Sequence, residues 1–290
     1  MTQMPIDPGP EPSDEPLRVV EFAPADALLR EDVKMLGALV GEILAEQRGP
    51  AFLVAVEALR RAAIVRRETR APVDGIARAL TNVDLEQAAD LVRAFATYFQ
   101  AVNLAERVHR IRRRRDHERS GDGVQPGGLR DVIGGLAREG VAATEIAALL
   151  PRLRIEPVFT AHPTEAVRRV LLDKERQIVG CLVGDIDRGR TPGERRADRE
   201  RIRLALTASW QTAQAPPEKP SVADEFEHVG FYLTEVLYRV LPVFHEVFEE
   251  ALHDAYGAAP TAASLPPLLR FGTWVGCDMD GNPNVGSGSI

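Results

Sequence analysis

Residues 156–170 read Glu-Pro-Val-Phe-Thr-Ala-His-Pro-Thr-Glu-Ala-Val-Arg-Arg-Val, and this stretch joins an apolar run to a helical pattern at His162. Proline disfavours the helical conformation of the residue before it, so we expect His162 to be extended at the end of a strand over 154–161. Pro163 suits the first position of a helix, and the carboxylate of Glu165 suits the free N–H groups of its first turn. The imidazole would then lie at a helix N-terminus, where anions bind and the dipole disfavours the imidazolium form.

The setting of His162 indicates a catalytic base. A neutral imidazole beside an anion can accept a proton, and its ordinary pKa of about 6.5 suits proton transfer near neutral pH. The alternative is a hydrogen-bonded structural histidine. Arg168 and Arg169 would lie in the second turn of the following helix, predicted over 163–186, either as solvated residues or as ligands of an anion.

Helical periodicity dominates the rest of the chain and predicts a mainly α fold, a helical bundle with a few short strands. Asp26 is expected to cap the first helix. Residues 116–129 and the proline-containing stretch 215–221 are predicted loops, and a second strand is predicted over 268–275. The predicted helices cover about 25–44, 50–71, 84–115, 130–138, 143–150, 163–186, 192–211 and 223–256, the last with a kink at Pro242.

Composition limits the class of protein. The net charge of −7 argues against general nucleic-acid binding, and the two cysteines predict a reducing, cytoplasmic compartment without disulfides. Apolar runs fall short of the ~18 residues that span a membrane. The proline-rich, acidic residues 1–17 are predicted to be a disordered tail, and 18–290 to be the N-terminal portion of a single large, mostly helical domain.

The arginines at the end of the third predicted helix allow two interpretations. Arg110 and Arg112–Arg115 complement the dipole of a helix C-terminus, which is typical of a solvated, charged end. The alternative is a site that binds an anion or another subunit.

Residues 276–286, Gly-Cys-Asp-Met-Asp-Gly-Asn-Pro-Asn-Val-Gly, are predicted to be a loop, either a tight turn after a strand or part of a functional site. A calcium-binding loop is a poor fit, because Pro283 stands where glycine is required and Ser289 where glutamate is required. No spacing of histidines or cysteines in the chain indicates a metal site.

Two segments carry a resemblance to a known family. Residues 156–169, EPVFTAHPTEAVRR, and 271–285, FGTWVGCDMDGNPNV, resemble the two N-terminal signatures of phosphoenolpyruvate carboxylase. Weaker similarity covers 32–49, 92–115 and 209–212. The resemblance implies an N-terminal third of a mostly helical enzyme, whose strands would belong to an incomplete β-barrel of the TIM type that binds phosphoenolpyruvate. Most substrate ligands and the ligands of Mg²⁺ would lie beyond Ile290, and the fragment alone would be inactive.

The resemblance also implies a reaction and roles for individual residues. Bicarbonate and phosphoenolpyruvate would give oxaloacetate and phosphate, with His162 removing the carboxyl proton of a carboxyphosphate intermediate. Trp274 would help to form the apolar pocket for carbon dioxide, and Asp280 would contact substrate. Arg168 and Arg169 would bind a phosphorylated effector, and the full-length protein would be a homotetramer.

Three departures from the family pattern qualify these roles. Cys277 stands where the family usually has glycine, Met279 where it often has arginine, and 213–217 lack a basic residue associated with the effector pocket. The alternative function is a non-catalytic helical module that binds an anion or a partner through Arg112–Arg115 and Arg168–Arg169.

Overall fold

The computed structural model describes residues 23–70, 72–121, 124–160, 168–186, 189–213, 221–257, 265–277 and 285. Most of these residues are helical, and the strands among them form one short parallel pair. The prediction of a mainly α fold is confirmed. The incomplete barrel stays a prediction.

The chain divides into two compact units, residues 1–114 with 170–213 and residues 115–169 with 214–290. The single domain predicted over 18–290 stays a prediction. The tail predicted over 1–17 lies outside the described residues.

The helices of the first unit surround one apolar core. They are α1 (Ala27–Arg48), α2 (Pro50–Thr69), α3 (Asp74–Leu80), most of α4 (Leu85–Ser120), most of α7 (Arg169–Gly184) and α8 (Pro192–Gln211). Helix α1 packs against α2 and α8. Its buried side chains recur every three or four residues, which is the spacing of one helix face. The most deeply buried apolar residues of this core include Leu36, Leu39, Ala105, Val108, Ile178 and Trp210.

The boundary between α1 and α2 follows from local chemistry, and the two predicted helices are confirmed. Gly49 ends α1 with φ 90°, a backbone conformation that glycine adopts without a steric penalty. Pro50 then occupies the first position of α2, where a missing N–H costs no hydrogen bond.

The prediction that the Asp26 side chain caps α1 is wrong. Asp26 occupies the residue before the helix, but its side chain makes no capping hydrogen bond. Its Oδ1 atom lies 3.2 Å from Nε2 of His109 on α4 instead. A tertiary partner has therefore replaced the local backbone partner.

Helix α4 corrects two predictions. It continues to Ser120, so the loop predicted over 116–129 begins five residues too early. Arg112 was expected at a solvated helix end, but it is 6% exposed and pairs with the carboxylate of Asp32 on α1. Burial is possible because the carboxylate compensates the guanidinium charge. Arg113 and Arg115, also in the predicted cluster, are exposed.

Helix α7 begins later than predicted. Arg168 precedes the helix and Arg169 is its first residue, so neither arginine lies in the second turn. The chain passes between the two compact units at residues 169 and 170, and the helix begins at this passage. Local capping signals do not encode such a tertiary boundary. Residues 161–167, which contain the predicted start, lie outside the described part of the chain.

The second unit packs α5 (Leu129–Arg138), α6 (Ala143–Leu149), α9 (Val222–Phe231) and α10 (Tyr238–Tyr256) with short 3-10 and π segments. Helix α5 lies against α10. The core of this unit contains Ile133, Ile146, Leu150, Phe248, Ala251, Leu252 and Leu268.

The long helix predicted over 223–256 is continuous but not uniform. A π-helical segment, Tyr232–Leu237, joins α9 to α10, and Pro242 lies inside α10. Pro242 has no N–H, so it cannot donate to the carbonyl group four residues earlier, at the junction of the two segments. The predicted kink at Pro242 stays a prediction.

The strands lie where the sequence predicted them but are shorter. Strand β1 is Val158–Phe159 and β2 is Gly272–Thr273, with a further bridge between Ile155 and Leu269. Pro157 interrupts the first predicted strand, because proline cannot donate a hydrogen bond to a neighbouring strand.

Candidate functional site

The parallel pairing of β1 with β2 brings the two conspicuous sequence segments to one place. Val158 is opposite Gly272 and Phe159 is opposite Thr273. Trp274 N donates to the carbonyl oxygen of Phe159 at 2.9 Å, which continues the ladder past β2. Because the strands are parallel, the chain leaves both of them at the same edge. In the sequence, His162 follows β1 by three residues and the segment 276–286 follows β2 by three residues.

Trp274 is the first residue beyond β2, and the side chain of this aromatic residue is largely uncovered at 55% exposure. A turn follows directly, in which Cys277 N donates to the carbonyl oxygen of Trp274 at 2.9 Å. Gly276 has φ 76° within this turn, a conformation that other residues adopt only with strain. The turn therefore reverses the chain immediately after Trp274.

A row of aromatic rings lies beside β1. The rings of Phe159 and Tyr232 are stacked, with centroids 6.3 Å apart and an interplanar angle of 27°. Tyr232 also contacts Phe231 edge-on at 5.5 Å and His228 edge-on at 5.2 Å. The guanidinium carbon of Arg169 lies 5.1 Å from the centroid of the Phe231 ring, a cation–π distance. The row therefore extends from β1 to the start of α7.

The helix that carries this row has a well-formed N-terminus. Ser221 and Asp224 form a capping box, in which Ser221 N donates to Asp224 Oδ2 at 2.8 Å and Asp224 N donates to Ser221 Oγ at 3.3 Å. The side-chain hydrogen bond from Ser221, followed by its backbone bond, lowers the pKa of Asp224. The cap fixes the first turn of α9 at Asp224, and His228 and Phe231 follow about one and two turns later.

The structure describes some of the predicted site residues. Trp274 lies at the edge of the strand pair, Arg169 lies on Phe231, and Arg168 is exposed just before α7. His162 and Asp280 lie outside the described residues. The sequence analysis missed the aromatic row. The only sign of this row in the sequence is the adjacent pair Phe231 and Tyr232 in a predicted helix. Such a pair cannot be told from two ordinary core residues until the position of β1 beside it is known.

The described residues contain no group of three or more histidine, cysteine, aspartate or glutamate side chains that could hold a metal ion. In the same part of the chain, no helix combines the length and the apolar character that crossing a bilayer requires.

Comparison with known proteins identifies the family of this mainly helical chain. A sequence model of the family described as phosphoenolpyruvate carboxylase matches residues 29–289. The chain therefore belongs to the phosphoenolpyruvate carboxylase family, and the resemblance seen in the sequence is confirmed.

Individual relatives agree with the family match. The phosphoenolpyruvate carboxylase of Xanthomonas oryzae pv. oryzae (strain MAFF 311018) is 57% identical over 270 residues, covering 93% of this chain and 30% of the relative. The enzyme of the same name from Paraburkholderia xenovorans (strain LB400) is 36% identical over 263 residues, covering 90% of this chain and 26% of the relative. The chain thus spans less than a third of the length of these relatives.

Proposed function

We propose that this chain is the N-terminal part of a phosphoenolpyruvate carboxylase, which converts phosphoenolpyruvate and bicarbonate to oxaloacetate and phosphate and so replenishes the tricarboxylic acid cycle. The observation that supports this proposal most directly is the parallel pairing of β1 with β2. It joins the two family signatures at one edge, where catalytic residues gather in parallel β/α proteins.

Chain reach supports a shared site for His162 and Trp274. His162 follows Phe159 by three residues, and three extended residues span at most about 11 Å. Phe159 is hydrogen-bonded to Trp274 through its carbonyl oxygen. This short reach is the reason that the proposal assigns the imidazole and the indole to one site.

His162 is the proposed catalytic base. Attack of bicarbonate on the phosphoryl group would release the enolate of pyruvate and form carboxyphosphate. Transfer of the carboxyl proton of carboxyphosphate to the imidazole would let its C–O bond break, giving carbon dioxide and phosphate. The enolate carbon would then bond to carbon dioxide. A positioned base contributes about 10²–10⁴ to such a rate.

Trp274 and Asp280 are the proposed substrate-binding residues of the second signature. The uncovered indole of Trp274 offers an apolar surface beside the strand edge, as a pocket for uncharged carbon dioxide requires. Asp280 would contact substrate from the loop that follows.

Arg168 and Arg169 are the proposed ligands of a phosphorylated effector. Arg169 lies over the ring of Phe231, which leaves the edge of the planar guanidinium able to donate to a phosphate while its face contacts the ring. Effector binding would thus act on the aromatic row beside β1.

The proposed cofactor is Mg²⁺, with ligands beyond Ile290. The described residues do not offer a suitable cluster, so no reaction step is assigned to the ion within this chain. We further propose that the 290 residues alone do not turn over, and that the full-length enzyme is a cytoplasmic homotetramer.

The test is His162→Asn in the protein extended to the length of its relatives. The variant should lose oxaloacetate formation but retain some bicarbonate-dependent phosphate release, because only the proton transfer from carboxyphosphate is removed. His253→Asn, an exposed histidine on α10, is the matched control. Undiminished carboxylation in His162→Asn would exclude the assigned role.

The alternative is a non-catalytic module that binds an anion or a partner through its arginines. The ion pair of Arg112 with Asp32 argues against this alternative, because the Arg112 guanidinium is buried and its charge is already compensated by a carboxylate. A coding sequence that continues past Ile290 with a lysine and acidic metal ligands supports the enzyme. A stop codon there would favour the module.

A further inference from the structure

A groove of about 580 Å³ lies in the first unit between α7 and α8. Its lining includes Lys174 and Cys181 from α7, Arg201 from α8, and Arg190 from the turn between the helices. A volume of this size is typical of sites for small molecules.

The charge of the groove is positive in a chain whose net charge is −7. Among its described lining residues, Lys174, Arg190 and Arg201 are cationic, and Asp198 is the single carboxylate. The groove therefore carries an excess of two positive charges. Low-dielectric walls around such a cluster concentrate its field on the space inside.

Asp198 holds the two arginines in place. Its side chain is 9% exposed and accepts from Arg201 Nη1 at 2.9 Å, while Arg190 pairs with its other oxygen. Gly184, the last residue of α7, makes room for Arg190, since an added Cβ would lie 2.8 Å from Nη2 of that arginine. One buried carboxylate thus positions two guanidinium groups and neutralises only one of them.

The α7 side of the groove is open and supplies the third cation. Lys174 forms no ion pair with any residue that the structure describes. Gly180 of α7 also lines the groove, and a Cβ added there would meet nothing within 4 Å. The absence of a side chain at Gly180 keeps the space in front of the three cations free.

We propose that this groove binds a small dianion of the phosphate class, either inorganic phosphate or the phosphate group of a small monoester. A dianion neutralises the excess of two charges. Guanidinium groups match the oxygens of phosphate in a planar, bidentate geometry, and the ammonium of Lys174 adds a point charge from the opposite side. The proposal is independent of the catalytic role of His162.

Titration calorimetry with inorganic phosphate tests the site in the 290-residue chain, with chloride holding the ionic strength constant. We expect saturable binding that Lys174→Gln weakens about tenfold, as loss of one charge-assisted hydrogen bond implies. Gly180→Leu should abolish binding by filling the space without changing the charge. Arg176→Gln is the matched control, since it removes a cation from α7 outside the groove.

Equal affinity in all variants, or no saturable binding in the wild type, would overturn the proposal. Glycerol 3-phosphate in the same titration distinguishes a monoester site from one that fits free phosphate alone.

Cys181 provides a second measurement that does not depend on heats of binding. The chain has two cysteines, so Cys277→Ser leaves Cys181 as the only thiol, and Cys181→Ser leaves the exposed Cys277 as the reference. At each thiol, the rate of alkylation by anionic iodoacetate is divided by the rate for neutral iodoacetamide. Because the groove is positive, this ratio should be about ten times higher at Cys181 than at Cys277. Phosphate should lower that ratio. Equal ratios at the two thiols, unaffected by phosphate, would contradict the site.

Discussion

The guanidinium of Arg112 on α4 pairs with the carboxylate of Asp32 on α1, and both residues are more than nine-tenths buried. The pair links two helices that are far apart in sequence and lie in one compact unit. A buried ion pair adds little net stability because both charges lose their hydration, but its loss leaves one charge without compensation. Removal of either partner should therefore cost more than the pair itself contributes.

Arg112→Met should lower the free energy of unfolding by about 3–5 kcal/mol, because it leaves the carboxylate of Asp32 buried without a cation. Urea unfolding followed by circular dichroism measures the loss. Arg107→Met is the control, since Arg107 on the same helix pairs with Glu175 at 3.2 Å while 55% exposed. Exposed pairs contribute about 0–1 kcal/mol. Equal losses in the two variants would contradict the role given to burial.

The pH dependence of stability should carry the signature of Asp32. Burial raises the pKa of Asp32 above its ordinary value, although the hydrogen bond and the charge of Arg112 oppose that change. The folded state then holds the proton more tightly than the unfolded chain does. The contribution of Asp32 to the free energy of unfolding must therefore fall as pH rises from about 4 through the folded-state pKa.

Two variants isolate this effect. In Asp32→Asn the decline should disappear, because the amide does not titrate. In Arg112→Met the decline should extend to higher pH, since both effects that lower the pKa of Asp32 are gone. Urea midpoints measured between about pH 4 and 8 provide the comparison. Identical profiles for the wild type and Asp32→Asn would show that Asp32 does not titrate as inferred.

The N-terminus of α8 offers a separate prediction about local structure. Thr191 Oγ1 accepts from Glu194 N at 3.3 Å, and Thr191 N donates to Glu194 Oε2 at 2.8 Å. Thr191→Ala should cost about 1 kcal/mol, as loss of a capping side chain does. Thr81→Ala is the control, because the hydroxyl of Thr81 only donates to a carbonyl group of its own helix.

The same cap can be followed by titration. The backbone hydrogen bond from Thr191, followed by the side-chain bond, lowers the pKa of Glu194. Its stabilising contribution is present above the ordinary pKa and is lost as pH falls through the lowered one. In Thr191→Ala the pKa of Glu194, measured by NMR, should rise toward its ordinary value. No change in that pKa would contradict the side-chain bond from Thr191, since the backbone N–H group remains in the variant.

The sequence predicted the elements whose signals are local. Helix α8 begins at Pro192 and ends at Gln211 as predicted, because a proline at the first helical position is a local signal. Burial of Arg112 could not be predicted, because its partner lies eighty residues away and a run of arginines normally indicates solvent. The start of α7 at Arg169 was not predicted either, because it coincides with the passage of the chain between the two compact units, which local sequence signals do not encode.

The candidate site shows the same limit. The residue pattern singled out His162, whereas Trp274 was implied only by the family resemblance. The parallel register was needed to show that β1 and β2, which precede these two segments, are neighbours. The aromatic row was missed because Tyr232 reaches Phe159 across more than seventy residues of chain, through a π-helical segment that has no sequence signature.

The stack of Tyr232 on Phe159 leads to the last prediction, which concerns the full-length enzyme. The ring of Tyr232 covers the strand that leads to His162, so Tyr232→Leu should let that strand shift and should lower kcat by up to about 10²-fold, as small misplacements of a catalytic group do. Tyr232→Phe keeps the stacked ring and should retain activity. Phe244→Leu is the control, because it removes a ring stacked at 6.1 Å on Phe248 in the core around α10. Steady-state oxaloacetate formation, with unfolding measured alongside, separates the outcomes. If Tyr232→Leu and Phe244→Leu lose stability alike and neither changes kcat, the aromatic row is only part of the packing and does not position the base.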